Sequence, residues 1–204
     1  MAYSMDALQD GCYENSSVLI NKFGIKDGTQ LNDIEREITG GLIAKALYDI
    51  SFTDVDFDFY KRLHKYVFED IYEWAGQLRT VSTGKKGTSF CPPDEIEKRG
   101  LHLFDRLTQS GFLTRFNGED FINEFTDLYC DLNYLHPFRE GNGRIQRLFL
   151  NMLLLHTGRS IDFSKIDKDL LMIATIRSVN GDVFLLRDIF KEHIIIVNSN
   201  CQQA

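Results

Sequence analysis

The run His136-Pro137-Phe138-Arg139-Glu140-Gly141-Asn142-Gly143-Arg144-Ile145-Gln146-Arg147 is the stretch from which the fold of this chain is read. It lies between two segments of helical periodicity. Before it, Phe121, Phe125, Leu128, Leu132 and Leu135 share one face of a helix that Asn117-Gly118-Glu119-Asp120 opens. Pro137 predicts the end of that helix near His136, because a proline ring pushes the preceding residue out of the α region. After the run, a second helix is expected from about Gly143 to Thr157-Gly158. The twelve residues are therefore a tight connection between two helices.

Outward from this connection the same periodicity recurs. A helix is expected after Leu31-Asn32-Asp33, reaching Tyr48 with Ile34, Ile38, Leu42 and Leu47 inward. Another spans Phe57 to Trp74, with Phe57, Tyr60, Leu63, Val67, Ile71 and Trp74 as its stripe. Pro92-Pro93-Asp94 opens a further helix, since proline suits a first turn and acids suit its positive end; Ser110-Gly111 closes it. Weaker helical patterns cover Ile166 to Ser178 and Val183 to Ile195. Only Gln77 to Cys91 breaks the rule. Leu78 to Ser82 and Thr88 to Cys91 read as extended arms around a turn, Thr83-Gly84-Lys85-Lys86-Gly87. The expectation is an all-α domain, residues 1–204 with a core of about residues 13–195, carrying one small β-hairpin.

Composition narrows the function. The chain has 204 residues, 43% hydrophobic and 26% charged, enough to bury a core without disulfides. Its net charge of −7 disfavours a grip on nucleic-acid phosphates, so no direct nucleic-acid binding is expected. Cys12, Cys91, Cys130 and Cys201 form no CxxC pair, which suits reduced thiols in a cytoplasmic protein. The most apolar stretch, Leu148 to Leu155, is broken by Asn151 and is too short to span a bilayer, so no membrane partner is expected.

The connection itself carries chemistry. Gly141-Asn142-Gly143 can turn successive N–H groups into an anion nest, and the nest opens a helix whose N-terminus favours negative charge. Arg144 and Arg147, three apart, share a helix face and can clamp neighbouring phosphates. Glu140 beside an anion nest calls for a cation between them, and Mg²⁺ characteristically bridges a carboxylate and substrate phosphates. His136 can take a proton from an attacking hydroxyl near neutral pH. A zinc site on His136 and Glu140 lacks further ligands at motif spacing. Phe138 is assigned to packing. Each part alone has an ordinary structural explanation; their coincidence in twelve residues points to phosphoryl or nucleotidyl transfer from a metal-bound polyphosphate.

The run resembles the signature of the Fic domain family, His-x-Phe-x-(Asp/Glu)-Gly-Asn-Gly-Arg-x-x-Arg, at every fixed position. Tyr72-Glu73-Trp74-Ala75-Gly76-Gln77-Leu78-Arg79, followed by Gly87-Thr88-Ser89-Phe90, is similar to the family's flap hairpin, and Tyr13 through Ile25 to the start of its bacterial cell-filamentation members. The resemblance implies transfer of AMP from ATP to a Tyr, Thr or Ser hydroxyl of a target protein, with release of pyrophosphate. It implies His136 as base, Glu140 as Mg²⁺ ligand, Gly141, Asn142 and Gly143 as anion hole, and Arg144 and Arg147 on the β- and γ-phosphates. Thr80, Val81, Ser82, Gly87, Thr88 and Ser89 correspond to the flap, whose exposed strand edge can hold a target segment by main-chain hydrogen bonds.

Many members are restrained by a helix bearing Ser/Thr-x-x-x-Glu-Gly/Asn, whose glutamate pairs with the last arginine of the signature. No match occurs here. The nearest segment, Asp10-Gly11-Cys12-Tyr13-Glu14-Asn15, has Asp where a hydroxyl is required, so Glu14 is not assigned this role. The resemblance then implies restraint by a separate antitoxin chain. Two alternatives stand beside AMP transfer. One is a related enzyme that uses another nucleotide donor or removes AMP. The other is a non-catalytic nucleotide-binding module.

Overall fold

The computed structural model describes residues 11–85 and 88–197. Helix α1 spans Gly28–Asp49, α2 Phe57–Phe68, α3 Ile96–Gln109, α4 Gly118–Leu135, α5 Asn142–His156, α6 Lys168–Ser178 and α7 Phe184–His193. Side chains place several starts. Asp27 caps α1 by accepting the Gln30 N–H at 2.8 Å, and Asp56 caps α2 by accepting that of Phe59 at 2.6 Å. Pro93 opens a 3₁₀ turn, Pro93–Glu95, that leads into α3.

Three expectations change. Helix α2 stops at Phe68, not Trp74. Of the remaining stripe, Ile71, at 0% exposure, is buried from a turn instead, and Trp74 is half-buried against the core. Apolar spacing reported burial there, and irregular backbone achieves it equally well. The flap pairing also lies elsewhere. Strands β1, Gly84–Lys85, and β2, Thr88–Ser89, pair antiparallel with Gly84 opposite Ser89 and Lys85 opposite Thr88. The paired residues are therefore those expected to form the turn. The expected arm Leu78 to Ser82 makes no ladder, and the Arg79 N–H donates to Pro137 O at 2.9 Å. Gly87 lies outside the described residues. Finally, the structure adds a second antiparallel pair, β3, Arg159–Ile161, against β4, Ile194–Ile196. Three consecutive isoleucines favour extended backbone and end the last helix at His193.

Helix α5 packs against α1, α2, α4 and β3. Its Phe149, Leu150, Leu153 and Leu154 are fully buried, and the Phe149 ring meets Tyr60 and Phe104 at 5.4 Å. Each such side chain contributes roughly 1.5–3 kcal/mol of burial free energy. Gln146 Nε2 donates to Tyr129 O at 2.8 Å and locks α5 to α4. The loop that joins these two helices is thereby held at both ends. Cys12, Cys91 and Cys130 form no disulfide among the described residues. Among the described residues no helix is long and apolar enough to cross a membrane.

Candidate active site

Helix α4 ends at Leu135, and His136 caps it with a left-handed φ of 39° and ψ of 57°. That turn reverses the chain and brings His136 to the wall of a cavity of about 890 Å³. The His136 ring stacks on Phe90, with centroids 3.7 Å apart and planes 5° apart. Phe90 follows β2, so the outgoing arm of the flap touches the imidazole directly.

The next residues are fastened from inside. Phe138 is fully buried between Tyr60, at 5.7 Å, and His64, at 3.9 Å between ring centroids. The Asn142 side chain accepts the Phe138 N–H at 2.9 Å and donates to Phe138 O at 2.7 Å. Its amide thus closes the loop on itself, while Asn142 and Gly143 begin α5, where backbone N–H groups have no preceding helical turn to bond. Gly141 has φ +81°, and a Cβ there would fall 2.3 Å from the Phe68 ring. A Cβ on Gly143 would meet Arg147 Nη1 at 3.2 Å.

Glu140 is held at two atoms. Its Oε1 accepts the Gly141 N–H at 2.8 Å and lies 3.3 Å from Arg144 Nη2. Its carbonyl faces His64 Nε2 at 3.1 Å. Because His64 Nδ1 accepts the Gly76 N–H at 2.8 Å, the ring proton sits on Nε2 and donates to Glu140 O. His64 is fully buried, and that burial pushes its pKa down to about 4.

The two arginines diverge. Arg147 lines the cavity, half-buried, and burial lowers its pKa from the ordinary value. No carboxylate pairs with Arg147 among the described residues. Arg144 turns instead toward α1. Its guanidinium bonds Glu35 and donates to Thr39 Oγ1 at 3.2 Å, and it lies 4.9 Å from the Phe68 ring centroid. Glu35, 6% exposed, also accepts the Tyr72 hydroxyl. The cavity wall includes His136, Glu140, Asn142, Gly143 and Arg147 but not Arg144.

Of the expected flap residues, Ser82 reaches the cavity wall. Thr80 and Val81 precede it, and Thr88 and Ser89 form the pairing strand. Thr83, which the sequence places only in the expected turn, also lines the cavity, with a buried Oγ1 that has no hydrogen-bond partner among the described residues. A further part of the lining comes from α6 and the turn before it, including Phe163, Ile166, Leu171, Met172 and Ile176. The one available signal was that apolar residues of this segment surround the helix instead of keeping to one face. A cavity lined by apolar side chains together with a nest and a cation suits a ligand with a flat apolar end and an anionic end.

Comparison with known proteins places the chain in a family. The Fic/DOC family pattern matches residues 54–154. The chain is 38% identical over 173 residues to "Probable protein adenylyltransferase y4lH" of Sinorhizobium fredii, covering 84% of this chain and 88% of the relative. It is 32% identical to "Probable protein adenylyltransferase Fic" of Salmonella typhimurium over 89% and 90% of the two chains. Among solved structures, the BepC protein of Bartonella tribocorum with bound AMPPNP superposes with a TM-score of 0.84 at 25% identity, covering 93% of this chain and 98% of that one. The chain belongs to the Fic/DOC family.

Proposed function

We propose that the chain is a protein adenylyltransferase that moves AMP from ATP to a Tyr, Thr or Ser hydroxyl of a target protein. One observation carries this reading: His136, the start of α5 and Arg147, which no carboxylate pairs among the described residues, all line one cavity. The names of the two relatives and the nucleotide held by the BepC structure support it.

The nucleotide lies with its base toward the α6 wall and its phosphates at Asn142 and Gly143; Gly141, whose N–H donates to Glu140 Oε1, joins them only when that carboxylate releases it. Arg147 holds the terminal phosphates. Arg144 reaches them only by exchanging its contacts with Glu35 and Thr39; until then it braces Glu140. The hydroxyl oxygen attacks the α-phosphorus, a new P–O bond forms, and the bond to the bridging oxygen of the β-phosphate breaks. Pyrophosphate leaves with that electron pair, while His136 takes the hydroxyl proton. The flap residues Thr80, Val81, Ser82, Gly87, Thr88 and Ser89 hold the target segment, so that the hydroxyl is in line before reaction.

The donor set at Glu140 fits Mg²⁺. The carboxylate is half exposed at the cavity wall, and no cluster of three His, Cys, Asp or Glu side chains able to hold a metal occurs among the described residues. Glu140 would hold such a hard cation through its carboxylate. When bound, Mg²⁺ neutralises charge on the triphosphate.

An antitoxin glutamate that occupies Arg147 would block the terminal phosphate. The full sequence has no Ser/Thr-x-x-x-Glu-Gly/Asn segment to supply such a glutamate, which supports restraint from another chain. Incubation with α-labelled ATP, Mg²⁺ and a bacterial lysate tests the reaction. Mass spectrometry should find AMP on a hydroxyl side chain; label that remains in free nucleotide refutes transfer.

A further inference from the structure

Arg79 is a buried cation, 4% exposed, that no carboxylate meets among the described residues. A charge withdrawn from water needs compensation, and here backbone carbonyls provide it. Nε donates to His136 O at 2.7 Å, Nη1 to Val81 O at 2.8 Å and Nη2 to Cys91 O at 2.5 Å. The Arg79 backbone N–H also donates to Pro137 O at 2.9 Å.

These acceptors belong to three separate pieces of the site. Val81 lies on the arm that leads into the flap, and Cys91 on the arm that leaves it. His136 carries the proposed base. One rigid, planar fork therefore spans both flap arms and the left-handed residue between α4 and the loop. An ammonium on a flexible stem has no fixed fork of this kind. The carbonyl it holds at His136 belongs to a residue with φ of 39°, a conformation uncommon outside glycine and one that neighbouring contacts must maintain. Phe90 closes the circuit by stacking on the His136 ring.

We infer that Arg79 is a positioning residue that keeps the target-holding flap and the His136 imidazole in register through these three carbonyls. The inference rests on the adenylyltransferase reading above. Arg79 lies outside the signature run and touches neither the proposed nucleotide contacts at Gly141 to Gly143 nor Arg147.

The test compares the full chain with Arg79→Lys, which keeps the charge, and Arg79→Met, which keeps much of the stem. Three quantities are read: AMP transfer from labelled ATP in lysate, AMPPNP affinity by calorimetry, and hydrogen exchange at the Phe90 and Cys91 amides. Transfer should fall by about 10²-fold, the scale of a small misplacement of reacting groups, with AMPPNP affinity unchanged. Exchange at the two flap amides should rise while that of the buried helices stays as in the parent. The Lys variant should not restore transfer, because the fork and not the charge is what the site uses. No AMP transfer by the parent chain sinks the reading of the site, and this role with it. Transfer by the parent and undiminished transfer by both variants sinks the positioning role alone. Loss of AMPPNP binding in both variants also overturns it, since Arg79 would then brace the fold at large. Unchanged flap exchange overturns it as well.

Discussion

The loop of residues 136–147 and the flap of residues 78–91 line the same cavity but are built on different principles. The loop is secured along its length from within. Asn142 closes it on Phe138, His64 holds the Glu140 carbonyl, and Phe68 leaves no room for a side chain at Gly141. The flap is secured at its base, by Arg79 and by the Cys91 N–H to Tyr134 O at 2.9 Å, and its strands share only two register pairs. The difference matches the two tasks proposed. A nucleotide has one shape, and charge developing on its phosphates is best met by groups already in place. A target segment is read through main-chain hydrogen bonds, which need an accessible strand edge more than a fixed set of side chains.

The largest effect should come from the loop's chemistry. His136→Ala is expected to lower AMP transfer by about 10²–10⁴-fold, the usual worth of a general base, while calorimetry finds AMPPNP binding intact. Retained transfer would remove His136 as base. Next, Gly141→Ala should destabilise the fold by roughly 2–4 kcal/mol, since it combines a left-handed backbone with a Cβ driven into Phe68. Urea unfolding measures this, and a small loss would mean the loop yields more readily than its packing implies.

Acid should weaken the same region. His64 has its pKa lowered by burial from 6.5 to about 4. Between these values the unfolded chain binds a proton that the folded chain does not, so stability falls as pH drops from about 6.5 to about 4 and levels off below. The loss should approach roughly 3 kcal/mol in urea titrations without nucleotide or metal. His64→Gln should flatten the profile over that window. An unaltered profile in the variant would show that another group dominates. The smallest effect is expected in the flap: Ser89→Ala, an exposed substitution, should shift unfolding free energy by no more than about 0.5 kcal/mol. A loss near that of Gly141→Ala would erase the contrast between the two regions.

Legibility in the sequence follows the distance over which each residue acts. The helix-loop-helix around residues 136–147 is local, so periodicity, a proline and two glycines were enough to place it. Arg79 bonds His136 across 57 positions, His64 bonds Glu140 across 76, and Arg144 bonds Glu35 across 109. No spacing rule connects such partners. The flap shows the same limit at shorter range. Its extended character was visible, but the pairing moved into the expected turn because tertiary contacts claim the Arg79 N–H and side chain.

By itself, then, the sequence determined a mostly helical chain and a loop dense in phosphate-directed chemistry, because helical periodicity and a contiguous nest are properties of neighbouring residues. Tertiary structure alone decided that Arg147 faces the cavity while Arg144 turns to Glu35, and that Arg79 joins flap to loop. The physical reason is that a buried guanidinium goes where the packed chain offers it acceptors, and those acceptors exist only once distant segments have met.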